Sequence, residues 1–176
     1  MLTLKEINRK KKYPDTDTFK WYNANPKHNI TGDCVIRAIS KATNKDWYET
    51  LDNLCNIGKE LGDVPNCDIA YETYLNNEGF TKMKQPKKSS GKKYTANEFA
   101  KNHRQGAYVL RLAHHLVACV DGILYDIWDC GYKTVGNYWV KIKWLIKMIT
   151  SILQNITLIS WKRLISVLLH WYQKVM

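Results

Sequence analysis

The chain has 176 residues, 45% of them hydrophobic and 24% charged, a balance that suits one globular domain and excludes a wholly disordered or collagen-like polymer. Lys and Arg number 27 against 16 Asp and Glu, a net charge of +11, which favours anionic partners in general and says nothing about fold. Residues 130–176 hold seven basic side chains and no acid, so residues 1–129, with 20 basic and 16 acidic groups, carry only +4. The body of the chain therefore does not read as a basic nucleic-acid module, and nucleic acid is not an expected partner.

Taken in chain order, residues 1–20 are polar and basic and read as a loose arm. WYNANPKHNIT, residues 21–31, is rich in Asn and carries a Pro, the mark of an ordered loop. Val35, Ala38, Ile39 and Ala42 then recur at helical spacing, with Thr31, Gly32 and Asp33 supplying capping chemistry just ahead. A second helix is predicted from about Asp46 to Leu61, with Gly62 as its stop, and a third over roughly Asp68 to Asn77, ended by Gly79. Residues 82–93 form a Lys-rich loop, read as a solvated segment. Thr95 to Glu98 is a capping box opening a short helix that ends before Gly106.

The period then drops to two. Ala107–Ala113, His115–Val120 and Ile123–Trp128 read as strands, with a last one near Asn137–Ile142. Asp121-Gly122 is a strong hairpin signal, and as a two-residue loop it pairs Val120 with Ile123 and Val117 with Asp126. Helices first and strands second predict an α+β domain: N-terminal helices packed on a small antiparallel sheet.

Five cysteines, Cys34, Cys55, Cys67, Cys119 and Cys130, show no C-x-x-C spacing, and the histidines are scattered. Structural zinc is not expected, nor is any cofactor. The opening run MLTLKEINRKKKYPDTD lacks the order of a secretory signal, so free thiols in a reducing cytoplasm are expected.

Cys34 is the candidate nucleophile. It falls in the first turn of a predicted helix, where unpaired N–H groups and the helix dipole favour a thiolate and can donate to an oxyanion. A small apolar core residue is the competing reading. His115, which leads the apolar strand LVACV, is the candidate base. The hairpin register puts Asp126 diagonal to His115 on one face, within reach to orient its ring, whereas Asp129 shares a face with His114. A solvent-facing residue or a lysine's partner are the other readings of Asp126.

The order of a Cys opening a helix, a His leading an apolar strand and an Asp on the next strand resembles the papain-like cysteine peptidases. Tyr125-Asp-Ile-Trp128 is similar to the stretch in that clan where the orienting Asn or Asp precedes a Trp by two residues. Gly32 to Ser40, GDCVIRAIS, also resembles the cysteine motif of ovarian-tumour-type deubiquitinases. NANPKHNITGDCVIRAIS, HLVACVDGILYDIWDCGYK and VGNYWVK are similar to small uncharacterised proteins of Gram-positive bacteria and their phages, over roughly residues 18–143. The resemblance implies a papain-like fold and a cysteine peptidase or isopeptidase acting on a peptide or protein substrate. It also implies an oxyanion donor six residues before the nucleophile, commonly Gln; that position is His28 here, and Asn29 is the substitute donor considered.

The chain thus divides into a basic arm (1–20), a hydrolase domain (21–143) and a basic tail (144–176). In the tail Leu145, Met148, Ile149, Ile152, Leu153, Ile156 and Ile159 fall at helical spacing. An amphipathic helix of that kind points to an anionic membrane surface, to a docking partner, or to an extension with no selected role. Its longest uncharged apolar run, Met148 to Trp161, is short for a membrane span. Against the enzyme stand an inactive relative that binds peptides in the same cleft and a basic membrane- or nucleic-acid-associating protein with an incidental thiol.

Overall fold

The computed structural model describes residues 2–141, and the tail helix expected over 144–176 lies outside them. Five helices and six strands follow in the order α1 (Leu4–Lys12), β1 (Phe19–Trp21), α2 (Cys34–Thr43), α3 (Trp47–Leu61), α4 (Asp68–Asn77), β2 (Phe80–Met83), α5 (Ala96–Asn102), β3 (Ala107–Leu112), β4 (His115–Val120), β5 (Ile123–Asp126) and β6 (Tyr138–Lys141). The class is α+β.

The strands form one sheet in the order β1-β5-β4-β3-β6-β2. It is mixed, not purely antiparallel as expected: β1 runs parallel to β5, with Trp21 opposite Asp126. The β4–β5 ladder has Val120 opposite Ile123, Cys119 opposite Leu124 and Ala118 opposite Tyr125, the register read from Asp121-Gly122. Both turn residues have positive φ, 49° and 77°, which is what a type I′ hairpin requires.

Apolar packing covers both faces of the sheet. On one side Leu116 and Ala118 of β4 and Trp139 of β6 pack with Val35, Ile39, Leu54 and Leu75 of α2, α3 and α4. On the other, Val117, Cys119 and Leu124 pack with Phe19, Phe99 and Ala100. A strand buried on both faces reads as a continuous apolar run, which is why LVACV does not alternate.

Residues 2–20, part of the expected loose arm over 1–20, are instead ordered by a helix and a strand. A capping box between Thr3 and Glu6 opens α1, and Glu6 is fully buried. Its carboxylate accepts from Asn23 Nδ2 at 3.0 Å and lies 3.2 Å from His28 Nδ1. Phe19 is a core residue with no exposed surface. The Lys-rich segment is also partly structured, since Lys82 belongs to β2 opposite Trp139 and Lys88 pairs with Glu98 at 2.5 Å.

Candidate functional site

The start of β4, the end of β5 and the N-terminus of α2 converge at one end of the sheet. Cys34 is the first residue of α2 and is half-buried. Asp33, the residue before it, makes no side-chain cap. This corrects the capping expectation: the Asp33 carboxylate is drawn instead to Arg37 Nη1 and to the indole N–H of Trp47, the latter at 2.9 Å. The first N–H groups of α2 are therefore not consumed by their own cap.

His115 opens β4, and its Nε2 donates to Asp126 Oδ2. Its other ring nitrogen, Nδ1, is then the one left for the hydrogen bond between His115 and Cys34. Asp126, the last residue of β5, is 1% exposed. Its Oδ1 accepts from three donors: the Ile127 N–H at 2.7 Å, Arg37 Nε at 3.0 Å and Arg37 Nη2 at 2.8 Å. Its main chain is fixed as well, because its carbonyl accepts from the Tyr22 N–H at 2.8 Å. Trp128 lies beside the His115 ring, 5.1 Å between centroids. Asp129 is occupied elsewhere, accepting from the Gly131 N–H at 2.9 Å.

The electrostatics follow from these contacts. Burial pushes the Cys34 thiol up, but the hydrogen bond with His115, one from the Leu116 backbone and the charges of His115 and Arg37 together bring it below its ordinary value. Burial pushes the His115 imidazole down, yet the hydrogen bonds to Asp126 and Cys34 raise it to about 9. Opposite shifts in a touching pair favour thiolate and imidazolium. Two other thiols move the opposite way: burial pushes Cys119 up to about 12 and Cys130 further still.

Cys34 and His115 line a cleft of about 430 Å³ shared with Asn66, Tyr71 and the Asp68–Arg111 ion pair, whose charged atoms are 2.5 Å apart. Asn29 is not brought there. It is exposed and borders a separate hollow with Thr3, Lys5 and His28, because buried Glu6 draws both Asn23 and His28 toward α1. The substitute oxyanion donor expected at Asn29 is thus displaced from the cleft.

His115, Asp126 and Cys130 place three donor atoms within 4.8 Å of one another. They suit a metal poorly. Asp126 Oδ1 already holds Arg37 and Ile127, and burial keeps Cys130 from the thiolate a metal would need.

Sequence reasoning missed Arg37, Trp47 and the role of Asp33. One signal was present: Arg37 is a lone cation in the apolar start of α2, CVIRAI, four residues after an Asp. Compared with protein-family models, with curated proteins and with solved structures, the chain has no match.

Proposed function

We propose that the chain is a papain-like cysteine hydrolase, a peptidase or isopeptidase, acting by acyl transfer through Cys34, His115 and Asp126. The observation that carries this reading is that Cys34 and His115 line one cleft with His115 held on Asp126, the thiol shifted down and the imidazole up to about 9.

In this reading the Cys34 thiolate attacks an amide carbonyl held in the cleft. Electrons move onto the carbonyl oxygen, which the N–H groups at the start of α2 stabilise. As the tetrahedral intermediate collapses, the C–N bond breaks and imidazolium His115 gives its Nδ1 proton to the leaving amine. Water then loses a proton to His115 and attacks the thioester, releasing the acid and restoring the thiolate and imidazolium pair. Asp126 stays a carboxylate throughout and keeps the ring turned. The five free cysteines suit a reducing compartment. Among the described residues no helix is long and apolar enough to cross a membrane.

The test is per-thiol alkylation by iodoacetamide across pH, read by peptide mass spectrometry, with a fluorogenic peptide-amide library in parallel. Cys34 is expected to react faster than half-buried Cys55 and Cys67 and at lower pH, and the library to show turnover that Cys34→Ser abolishes. Equal rates at the three thiols overturn the reading. An activated Cys34 without turnover of any peptide or isopeptide substrate overturns the hydrolase part and leaves a peptide-binding cleft.

A further inference from the structure

Arg37 lies in an apolar setting. Its neighbours on α2, Val35, Ala38 and Ile39, face the core, and its own side chain is 3% exposed. Taking a guanidinium out of water is costly unless its donors are met, and a buried ion pair is often no more stabilising than apolar side chains of similar volume. Core packing alone gives no reason for a charge at this position.

Its contacts give one. Nη1 holds the carboxylate of Asp33, while Nε and Nη2 hold Asp126 Oδ1 at 3.0 and 2.8 Å. Asp33 is fixed in turn by Trp47 at 2.9 Å. One planar group, 89 positions before Asp126 in sequence, therefore joins the residue preceding the nucleophile to the residue behind the base. Five groups alternate in sign along this line: Asp33, Arg37, Asp126, His115 and Cys34.

We propose that Arg37 is a positioning residue: by occupying Oδ1 of Asp126 it leaves only Oδ2 for His115, and through Asp33 it ties that carboxylate to the turn presenting Cys34. The role rests on the hydrolase reading above. An aspartate's terminal torsion is broad; the guanidinium fork, beside the Ile127 N–H on the same Oδ1, narrows it. A lysine in the same place offers a point charge and cannot hold both carboxylates in one plane. The Asp68–Arg111 ion pair and His114 share the cleft with Cys34 and His115, and two further titratable groups face the line itself. Tyr22 is pushed up by burial, an effect partly offset by Ser40 and by the charge of Arg37. Cys130 is pushed up by burial and hydrogen-bonds to Asp126. Both are neutral near neutral pH, so the charge of the line is set by its five members.

The experiment compares Cys34 alkylation by iodoacetamide across pH in the wild type, Arg37→Lys, Arg37→Met and Asp33→Ala, with thermal unfolding measured on each. Lost positioning is expected to slow Cys34 roughly 10-fold near neutral pH, as misplacement of a reacting group does, and to displace its profile to higher pH in Arg37→Lys, which keeps the charge, as well as in Arg37→Met; a displacement in Arg37→Met alone is the loss of its charge beside Cys34 and overturns the positioning role. A role confined to stability lowers the melting temperature and leaves the profile in place. Asp33→Ala keeps the test alive if the Arg37 variants do not fold: it gives up the bonds to Arg37 Nη1 and the Trp47 indole but leaves the guanidinium paired with Asp126. By charge alone, removing an anion beside Cys34 speeds alkylation, whereas a cut tie slows it. Folded variants with the wild-type profile, or a faster Asp33→Ala, overturn the role of Arg37 and leave the hydrolase reading standing. A wild-type Cys34 no more reactive than Cys55 overturns both.

Discussion

Replacing Asp126 by Asn, a change of one atom, is the sharpest probe of the site. The Asp126 Oδ1 position is surrounded by three donors: the Ile127 N–H at 2.7 Å, Arg37 Nη2 at 2.8 Å and Arg37 Nε at 3.0 Å. An asparagine must put its carbonyl oxygen there, because an NH2 would meet those donors head-on. Its NH2 then faces His115 Nε2 and can only donate, so that nitrogen has to be the acceptor and the ring proton moves to Nδ1. His115 is left unable to take a proton from Cys34. The opposite rotamer, which keeps the useful tautomer, leaves Arg37 Nε and Nη2 and the Ile127 N–H without an acceptor, at a cost of about 3 kcal/mol. At about 1.4 kcal/mol per factor of ten, roughly one molecule in a hundred keeps the competent arrangement.

Asp126→Asn is therefore expected to lose roughly a hundredfold in peptide-amide turnover, with the Cys34 alkylation profile displaced to higher pH. Thermal unfolding provides the control for folding. A folded Asp126→Asn protein that turns over substrate at close to the wild-type rate refutes the reasoning. It means that the donors around Oδ1 do not decide which way the side chain faces.

Glu6→Gln tests the anchoring of α1. Burial pushes the Glu6 carboxyl up, but hydrogen bonds from the Thr3 N–H, Asn23 and His28 outweigh it and hold the group below its ordinary value. A depressed folded-state value stabilises above the unfolded value and is lost as pH falls through the folded one. Urea unfolding is expected to show Glu6→Gln less stable by about 1 kcal/mol near neutral pH, with the gap closing below about pH 4; a gap independent of pH contradicts this. Gly122→Ala tests the hairpin that aligns His115 with Asp126. Gly122 has φ +77°, and an added Cβ would lie 3.0 Å from the Ala100 carbonyl oxygen, whereas at Gly91, also at φ +77°, it would meet nothing within 4 Å. Gly91→Ala is expected to cost about 1 kcal/mol through conformation alone, and Gly122→Ala measurably more by urea unfolding; equal costs refute the crowding.

Features under short-range control were legible in the sequence. Short apolar runs located β3, β4 and β5, the Asp121-Gly122 turn set the register that brings Asp126 near His115, Gly62 placed the end of α3 and the Thr95–Glu98 capping box the start of α5. These are contacts between residues a few positions apart, or separated by one tight turn, so local hydrogen bonding and alternation suffice to specify them. Tertiary structure alone decided the rest. Whether Cys34 meets His115 depends on α2 packing across the sheet, and whether Asn29 reaches the cleft depends on a buried carboxylate 23 positions earlier. Residues 1–20 looked like an arm because their composition is polar and basic, yet a buried Glu6 and a buried Phe19 anchor α1 and β1 to loop and sheet. Arg37 could not be separated from an ordinary surface cation without knowing that Asp126 would arrive beside it from 89 residues away. Burial sets the value of a charge, and burial belongs to the packed fold rather than to any window of sequence.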